Sequence, residues 1–446
     1  MRRSTWVVVG LLWLTAAAAD AAVLYSPEGN RLRRYDIDSL TDPPLRQDIL
    51  IERASLDAVR GRDVNGPVCP LPDASGGFVM GEDTGQPAVP PGWGVFAADG
   101  TQIGKLTATY FVQPQGDPFG CAFDSQGRLF TSEIGDSASG PATGQLILWF
   151  PPFDRFPGAA GSYPNGDAST HFCKIASNIG TATGIAIDDA GRVYVASARG
   201  GGGGVSGSAA ILRFSPPFPS GADAAGGCGR IDALGSPLAD AANVNVEVFI
   251  TNPNVPTPSS LARAPNGNWY VASVLNGVIA EFDPAGTFLR RVLSPPMPGL
   301  PSPTGNPQGI AVDAAGNLFF ADLQLRVNPG GGIGPGPNGK VRWIGFAADG
   351  TPRPPVIIRE NLAFPDGLGV LAGTVAPCTL GCAAACAGDC NGNRQVEVNE
   401  LILGVNIALG AQPTTVCVLF DSDEDGSVSV AEIVAAVGAA LMGCPE

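Results

Sequence analysis

The chain has 446 residues, with 61 Gly, 41 Pro and a formal net charge of −15 at pH 7. That balance excludes nucleic acid or an anionic membrane surface as a partner attracted by bulk charge. The Gly and Pro content, with 44% hydrophobic residues, points to many short strands joined by turns around an ample core, in a chain long enough for more than one domain.

Residues 1–22 read as a signal peptide. Arg2 and Arg3 form a basic start, an apolar run covers 6–19, and Ala19-Asp20-Ala21 offers a small-residue cleavage site. The apolar run is too short to span a membrane comfortably, and no later stretch is long enough. The mature chain is therefore expected to start near 21–23 and to be exported, to the periplasm or beyond the cell. Ten cysteines fit such an oxidising compartment. Four precede residue 375 (Cys69, Cys121, Cys173, Cys228) and six follow it. Cys69–Cys121 and Cys173–Cys228 are the expected pairs in the first group, because each joins neighbouring repeats. The C-x3-C spacing over 378–390 could hold a metal, but export and the lack of a nearby His favour disulfides.

From residue 69 onward one sentence recurs: apolar strand, Asp-x-x-Gly turn, second apolar strand, then a small or acidic residue. It reads GIAVDAAGNLFFAD at 309–322, GCAFDSQGRLFTSE at 120–133 and GIAIDDAGRVYVAS at 184–197. SLARAPNGNWYVAS at 260–273 has Ala264 for the Asp, and CPLPDASGGFVMGE at 69–82 is a looser copy. The starts lie roughly 50 to 75 residues apart, the spacing of four-stranded blades that must stack to bury their apolar faces. A sixth copy is split: residues 365–371 look like its first strand, 22–26 its second and 30–36 its third. An N-terminal segment that completes the last blade would close the ring and remove two exposed edges. The expected fold is mainly β, a six-bladed propeller over 23–374 in which the two ends share one blade.

These units resemble NHL-repeat propellers, whose unit reads like GIAVDxxGNIYVADxxNNRVxxFD; residues 276–283 supply the third-strand part. The resemblance implies the fold and says little of function. Six-bladed gluconolactonase-type enzymes hold one Ca²⁺ with central acids and amides. Here Glu82, Glu133 and Asp322 occupy one column of the repeat, shared with Ser197 and Ser273, while Asp117, Asn306, Gln308 and Asp366 precede first strands. A calcium-dependent lactonase is thus the alternative function, to be recognised by four or more of these groups converging on the axis. A glycan or small molecule at the propeller face would suit either reading. Nucleophilic catalysis finds no G-x-S-x-G, and the single histidine, His171, lies in a long loop. The string 334–340, GPGPNGK, matches phosphate-loop patterns, but its prolines remove backbone donors, so it reads as a turn.

Residues 375–386 form an Ala-, Gly- and Cys-rich linker, and 387–446 a second domain. The last 72 residues hold nine acids and one base. Asp421, Asp423, Asp425, Gly426, Ser427 and Glu432 fit the EF-hand loop at every position. Carboxylates at alternate positions, a sharp glycine turn, a carbonyl from Ser427 and a closing Glu432 supply the hard oxygens Ca²⁺ takes. A second loop starts 32 residues earlier, with Asp389, Asn391, Asn393, the Gln395 carbonyl and Glu400, and with Arg394 in place of the glycine. Leu401, Val405 and Leu409, then Ile433, Val437 and Leu441, repeat with helical spacing after each loop. Two loop–helix units without entering helices resemble a dockerin domain. That resemblance implies two bound Ca²⁺ ions and a cohesin-like partner, although Val398-Asn399 and Val430-Ala431 stand where dockerins often carry Ser-Thr. The expected role is a non-enzymatic exported binding or scaffold protein with a calcium-loaded tail.

Overall fold

A computed structural model describes residues 23–28, 31–37, 47–52, 63–73, 75–83, 92–106, 118–134, 144–154, 172–176, 179–198, 209–221, 244–371, 387–388, 390, 395–412, 416–417, 420 and 427–443. The signal segment 1–22, the linker, His171 and Asp117 lie outside them, so those expectations are untouched.

Six four-stranded antiparallel sheets follow one another. Blade 1 holds β1 (Val23–Pro27), β2 (Arg31–Asp36) and β3 (Gln47–Glu52); its innermost strand comes from the far end of the propeller. Blade 2 is β4 (Asp63–Pro70), β5 (Phe78–Asp83), β6 (Gly92–Phe96) and β7 (Gln102–Leu106). Blade 3 is β8 (Pro118–Phe123), β9 (Leu129–Glu133), β10 (Gln145–Trp149) and β11 (Phe172–Ala176). Blade 4 is β12 (Ala182–Ile187), β13 (Val193–Ser197), β14 (Ala210–Ser215) and β15 (Asn245–Ile250). Blade 5 is β16 (Pro258–Arg263), β17 (Trp269–Ser273), β18 (Val278–Phe282) and β19 (Phe288–Leu293). Blade 6 is β20 (Pro307–Val312) and β21 (Leu318–Asp322), then a small hairpin of β22 (Arg326–Val327) and β23 (Ile333–Gly334), then β24 (Gly339–Ile344) and β25 (Val356–Leu362). The phosphate-loop-like string thus runs from β23 into strand β24, with no helix to hold a phosphate.

The last strand, β26 (Gly369–Leu371), pairs antiparallel with β1, Tyr25 opposite Gly369 and Val23 opposite Leu371. The innermost strands touch in sequence, β26 to β4, β8, β12, β16 and β20, and β20 returns to β26. The ring is therefore closed through a blade shared by both ends, as the split repeat implies. Beside the seam, Glu28 bridges to Pro365 and accepts hydrogen bonds from Arg33 at 2.5 Å and Tyr35 at 2.8 Å. Burial, then the Glu28 charge, pushes the Tyr35 hydroxyl well above its ordinary pKa.

The Asp of each Asp-x-x-Gly turn works locally. Asp124 accepts from the backbone of Gln126 and Arg128, each at 2.9 Å, and pairs with the Arg128 guanidinium. Asp188 repeats this with Ala190 and Arg192, and Asp313 accepts from Asn317. Gly127, Gly191 and Gly316 close these turns at φ +72°, +72° and +85°, where a Cβ would be strained. Cys69 and Cys121 form the expected disulfide between blades 2 and 3. Cys173 is also disulfide-bonded, while Cys228 lies outside the described residues.

The tail shows two helices, α1 (Val398–Ala408) and α2 (Val430–Met442), packed around Phe420, Ile407, Val428 and Ala436. Cys390–Cys417 ties the segments before them. Two helices do not by themselves make an EF-hand domain. Among the described residues no helix is long and apolar enough to cross a membrane.

Candidate functional site

The column at the ends of the second strands is the first place to look for chemistry. Register places Glu28, Glu82, Glu133, Ser197, Ser273 and Asp322 at equivalent positions, and all are buried. Each acid has a neighbour that answers it. Glu82 forms a fully buried ion pair with Lys105 and accepts from Gln102. Glu133 accepts from the Trp93 indole of blade 2 at 3.2 Å. Asp322 pairs with Arg342 at 3.0 Å and accepts from the Asn306 backbone at 2.7 Å and the Gln324 amide at 2.7 Å. Ser197 and Ser273 bond to the Ile179 carbonyl and to Thr257. The column therefore fastens each blade rather than converging on one point. Among the described residues no group of three or more His, Cys, Asp or Glu side chains gathers as a metal site.

The residues before the first strands are placed in the same way. Asn306 receives the amides of Ser302 and Leu325 and donates to the Val274 carbonyl of the neighbouring blade. Asp366 accepts from Gly66 across the closing seam at 3.0 Å. Inner hydroxyls add further links: Ser132 to the Thr183 carbonyl, Thr183 to Pro258 and Ser259 to Pro307 at 2.9 Å. Inside this collar the first strands enclose an axial cavity of about 470 Å³. It is lined by backbone and small or apolar side chains, with Gln308, Asp366, Ser259, Ser260 and Arg263 as its polar contributors. Its volume suits a small ligand.

Sequence reasoning found the acids of the column and missed their partners. Lys105 lies on the fourth strand of its blade, and Lys174 holds the same register position in blade 3, also buried. A lysine repeated at the fourth strand of two neighbouring units was the available signal.

In the tail, six of the ten expected ligands, Asp389, Asn391, Asn393, Asp421, Asp423 and Asp425, lie outside the described residues. The other four are placed. Gln395 and Ser427 are exposed just before the helices, and Glu400 and Glu432 are 4% and 5% exposed. Each glutamate is the third residue of its helix and closes a capping box. Glu400 accepts from Cys390 N and Glu397 N, each at 2.9 Å, so its carboxylate reaches both ends of the first loop. Glu432 accepts from Ser429 N at 2.7 Å. Val396 and Val428, 32 residues apart, are both buried beside them. A buried carboxylate at the end of a loop rich in Asp and Asn fits a hard divalent cation.

Of the helical repeat that marks these helices in the sequence, Leu401 and Ile433 pack against the tail core, while Val405, Leu409, Val437 and Leu441 lie outward at 41%, 76%, 37% and 81% exposed. Val398, Ile402, Val430 and Val434 join them outside, at 72%, 58%, 78% and 63%. The buried positions of α1 are instead Glu400, Gly404 and Ile407. Gly404 is required because a Cβ there would meet the Phe420 ring at 2.3 Å.

No protein-family model and no curated protein matches the chain. Solved structures do align with it. A nidogen–laminin complex matches at 12% identity and TM-score 0.45, covering 78% of this chain and 98% of that one. A gluconolactonase from Xanthomonas campestris matches at 14% identity and TM-score 0.36, covering 68% and 83%. Regucalcin, a calcium-binding protein from Agrobacterium tumefaciens, matches at 13% identity and TM-score 0.39, covering 66% and 75%. The propeller rests on the strand order and the closed ring of contacts, not on these likenesses.

Proposed function

We propose that this is an exported binding protein: a rigid propeller carrying a tail that takes up two Ca²⁺ ions and docks a partner. The observation that carries the reading is the 32-residue repeat of the tail. Each unit buries one valine and one glutamate at the same places and turns the same four apolar positions outward. Disulfides at Cys69–Cys121 and Cys390–Cys417 support an oxidising destination. In the second loop Asp421, Asp423, Glu424 and Asp425 repel one another without a cation, and binding would stabilise the folded tail by mass action. Uncharged outer faces on both helices favour a partner that covers aliphatic surface, and a cohesin-like domain is the class the resemblance suggests. The lactonase reading has no observation of its own: the described acids of the propeller are answered by Lys105, Trp93 and Arg342.

Calorimetric titration of the whole protein with Ca²⁺ tests this. Two binding events are expected, the tighter one lost in Glu432→Ala and kept in Glu400→Ala, because the second loop has more charged ligands and Gly426 in place of Arg394. The opposite ranking, or no calcium heat, would reject the assignment. Partner docking should fail in Ile402→Asp combined with Val434→Asp.

A further inference from the structure

The seam between blades 2 and 3 holds a second cavity, of about 490 Å³, on the side of the Asp-x-x-Gly turns. Val95, Ile103 and Leu71 of blade 2 and Phe153 of blade 3 form its apolar wall.

The repeat itself shows what is missing there. At the second position of the second strand, blades 3 to 6 carry an aromatic ring: Phe130, Tyr194, Tyr270 and Phe319. Each stands opposite a small alanine of the first strand: Ala122, Ala186, Ala262 and Ala311. Three of these rings pack on another ring near the following seam. Phe130 meets Phe218 at 4.8 Å, Tyr194 meets Trp269 at 4.2 Å, and Tyr270 meets Phe346 at 5.9 Å. Blade 2 has Val79 at that position, opposite Cys69 and beside Val95. Where blade 3 has Phe150 after its third strand, blade 2 has Ala97, which lines the cavity. Arg128, which reaches the Pro219 carbonyl across the next seam, is matched by Gly77. The blade 2–3 seam has therefore lost side chains its neighbour keeps.

Such a loss would ordinarily be answered by partial collapse. Here the Cys69–Cys121 disulfide fixes the two innermost strands, Cα to Cα 6.1 Å, and Phe153 is held edge-on against Phe123 at 5.6 Å. The gap stays open and has the size of a small-molecule site. Among the described residues its charged lining is one-sided: Asp73 and Asp154 stand at its edge with no basic side chain beside them. Ser75 holds the Asp73 carboxyl below its usual range, so it is ionised at neutral pH.

We propose that this seam cavity binds a small aromatic ring bearing a cationic group, an arylalkylammonium, with the ring in the space that Phe130 and Phe150 fill one blade later and the cation toward Asp73 and Asp154. The probe is 2-phenylethylammonium, with 3-phenylpropionate as its charge-reversed counterpart, added to the full chain and followed by saturation-transfer NMR and calorimetry. Saturable binding of the ammonium is expected, at least fivefold tighter than the carboxylate. Val95→Phe should abolish it, because the new ring projects from the cavity wall. Ala97→Phe, at a partly exposed position, should abolish it even where Val95→Phe disturbs folding. Asp73→Asn with Asp154→Asn should reduce the preference for the ammonium to less than twofold. No saturable binding, binding that survives Ala97→Phe, or equal affinity for the two probes would each overturn the proposal.

Discussion

In the propeller, Glu82 is buried against Lys105 and Asp322 against Arg342, so each acid carries its counter-charge into the fold within the same blade. In the tail, Glu400 and Glu432 are also buried, and the partners described for them include backbone amides of their own loops. The propeller turns most of its large apolar side chains inward, with Met297, Val327 and Ile333 among those left outside, while the much shorter tail leaves eight aliphatic residues along two helices in solvent. A ring that closes on itself can satisfy charge and bury hydrocarbon internally. A pair of short helices cannot. On the proposed reading a cation and a docked partner would complete the tail, and this contrast is what the tests below break or sharpen.

The largest effect should come from opening the ring. Deleting residues 23–36 removes β1 and β2, leaving β26 without its partner and an inner seam exposed. Cooperative unfolding should be lost and aggregation should appear in thermal melts; a deletion variant that melts as sharply as the parent would refute closure as the source of cooperativity. Next is Glu82→Ala, which strands the Lys105 ammonium in a fully buried place. It should destabilise the propeller by about 3–5 kcal/mol in urea unfolding. Converting both residues to Met should recover most of that loss, because no charge is then left unpaired.

Replacing Cys390 and Cys417 together by Ser should cost the tail about 3 kcal/mol, the scale for releasing a loop of this length. Far-UV circular dichroism should lose helical signal while the propeller transition stays where it was. A matching fall in the propeller melt would show the two regions to be coupled. The smallest effect concerns Asp188. Burial works to raise its pKa, but the Arg192 backbone amide, the Arg192 guanidinium and the Tyr194 hydroxyl together hold it below the ordinary value. A depressed folded pKa contributes stability that is present above the unfolded pKa, near 4, and is lost as pH falls through the folded value. Asp188→Asn should therefore cost about 1 kcal/mol at pH 7, and the gap to the parent should narrow in melts taken below pH 4.

The sequence by itself determined the grammar of the ring. Alternating apolar strands, the Asp-x-x-Gly turn and its recurrence are local features, and each turn's Asp, its amide partners and its positive-φ glycine lie within five residues. The split blade was also legible, because residues 365–371 and 22–36 carry the pieces of one repeat. So was Cys69–Cys121, because the two cysteines sit in adjacent units. The helices of the tail announced themselves through spacing as well. What faces what was decided by the tertiary structure. The apolar spacing of α1 and α2 looked like a buried face and lies mostly in solvent, since Gly404 and Ala436 let Phe420 occupy the inner side. Glu82, Glu133 and Asp322 looked like candidate ligands in the sequence and are fastened to Lys105, Trp93 and Arg342. Those partners are 20 to 40 residues away along the chain and adjacent only across strands. The seam cavity depends on Val95, Ala97 and Phe153 meeting across two blades. Periodicity reports which side of an element is apolar, whereas pairing and voids depend on the volume and charge of residues that only closure brings together.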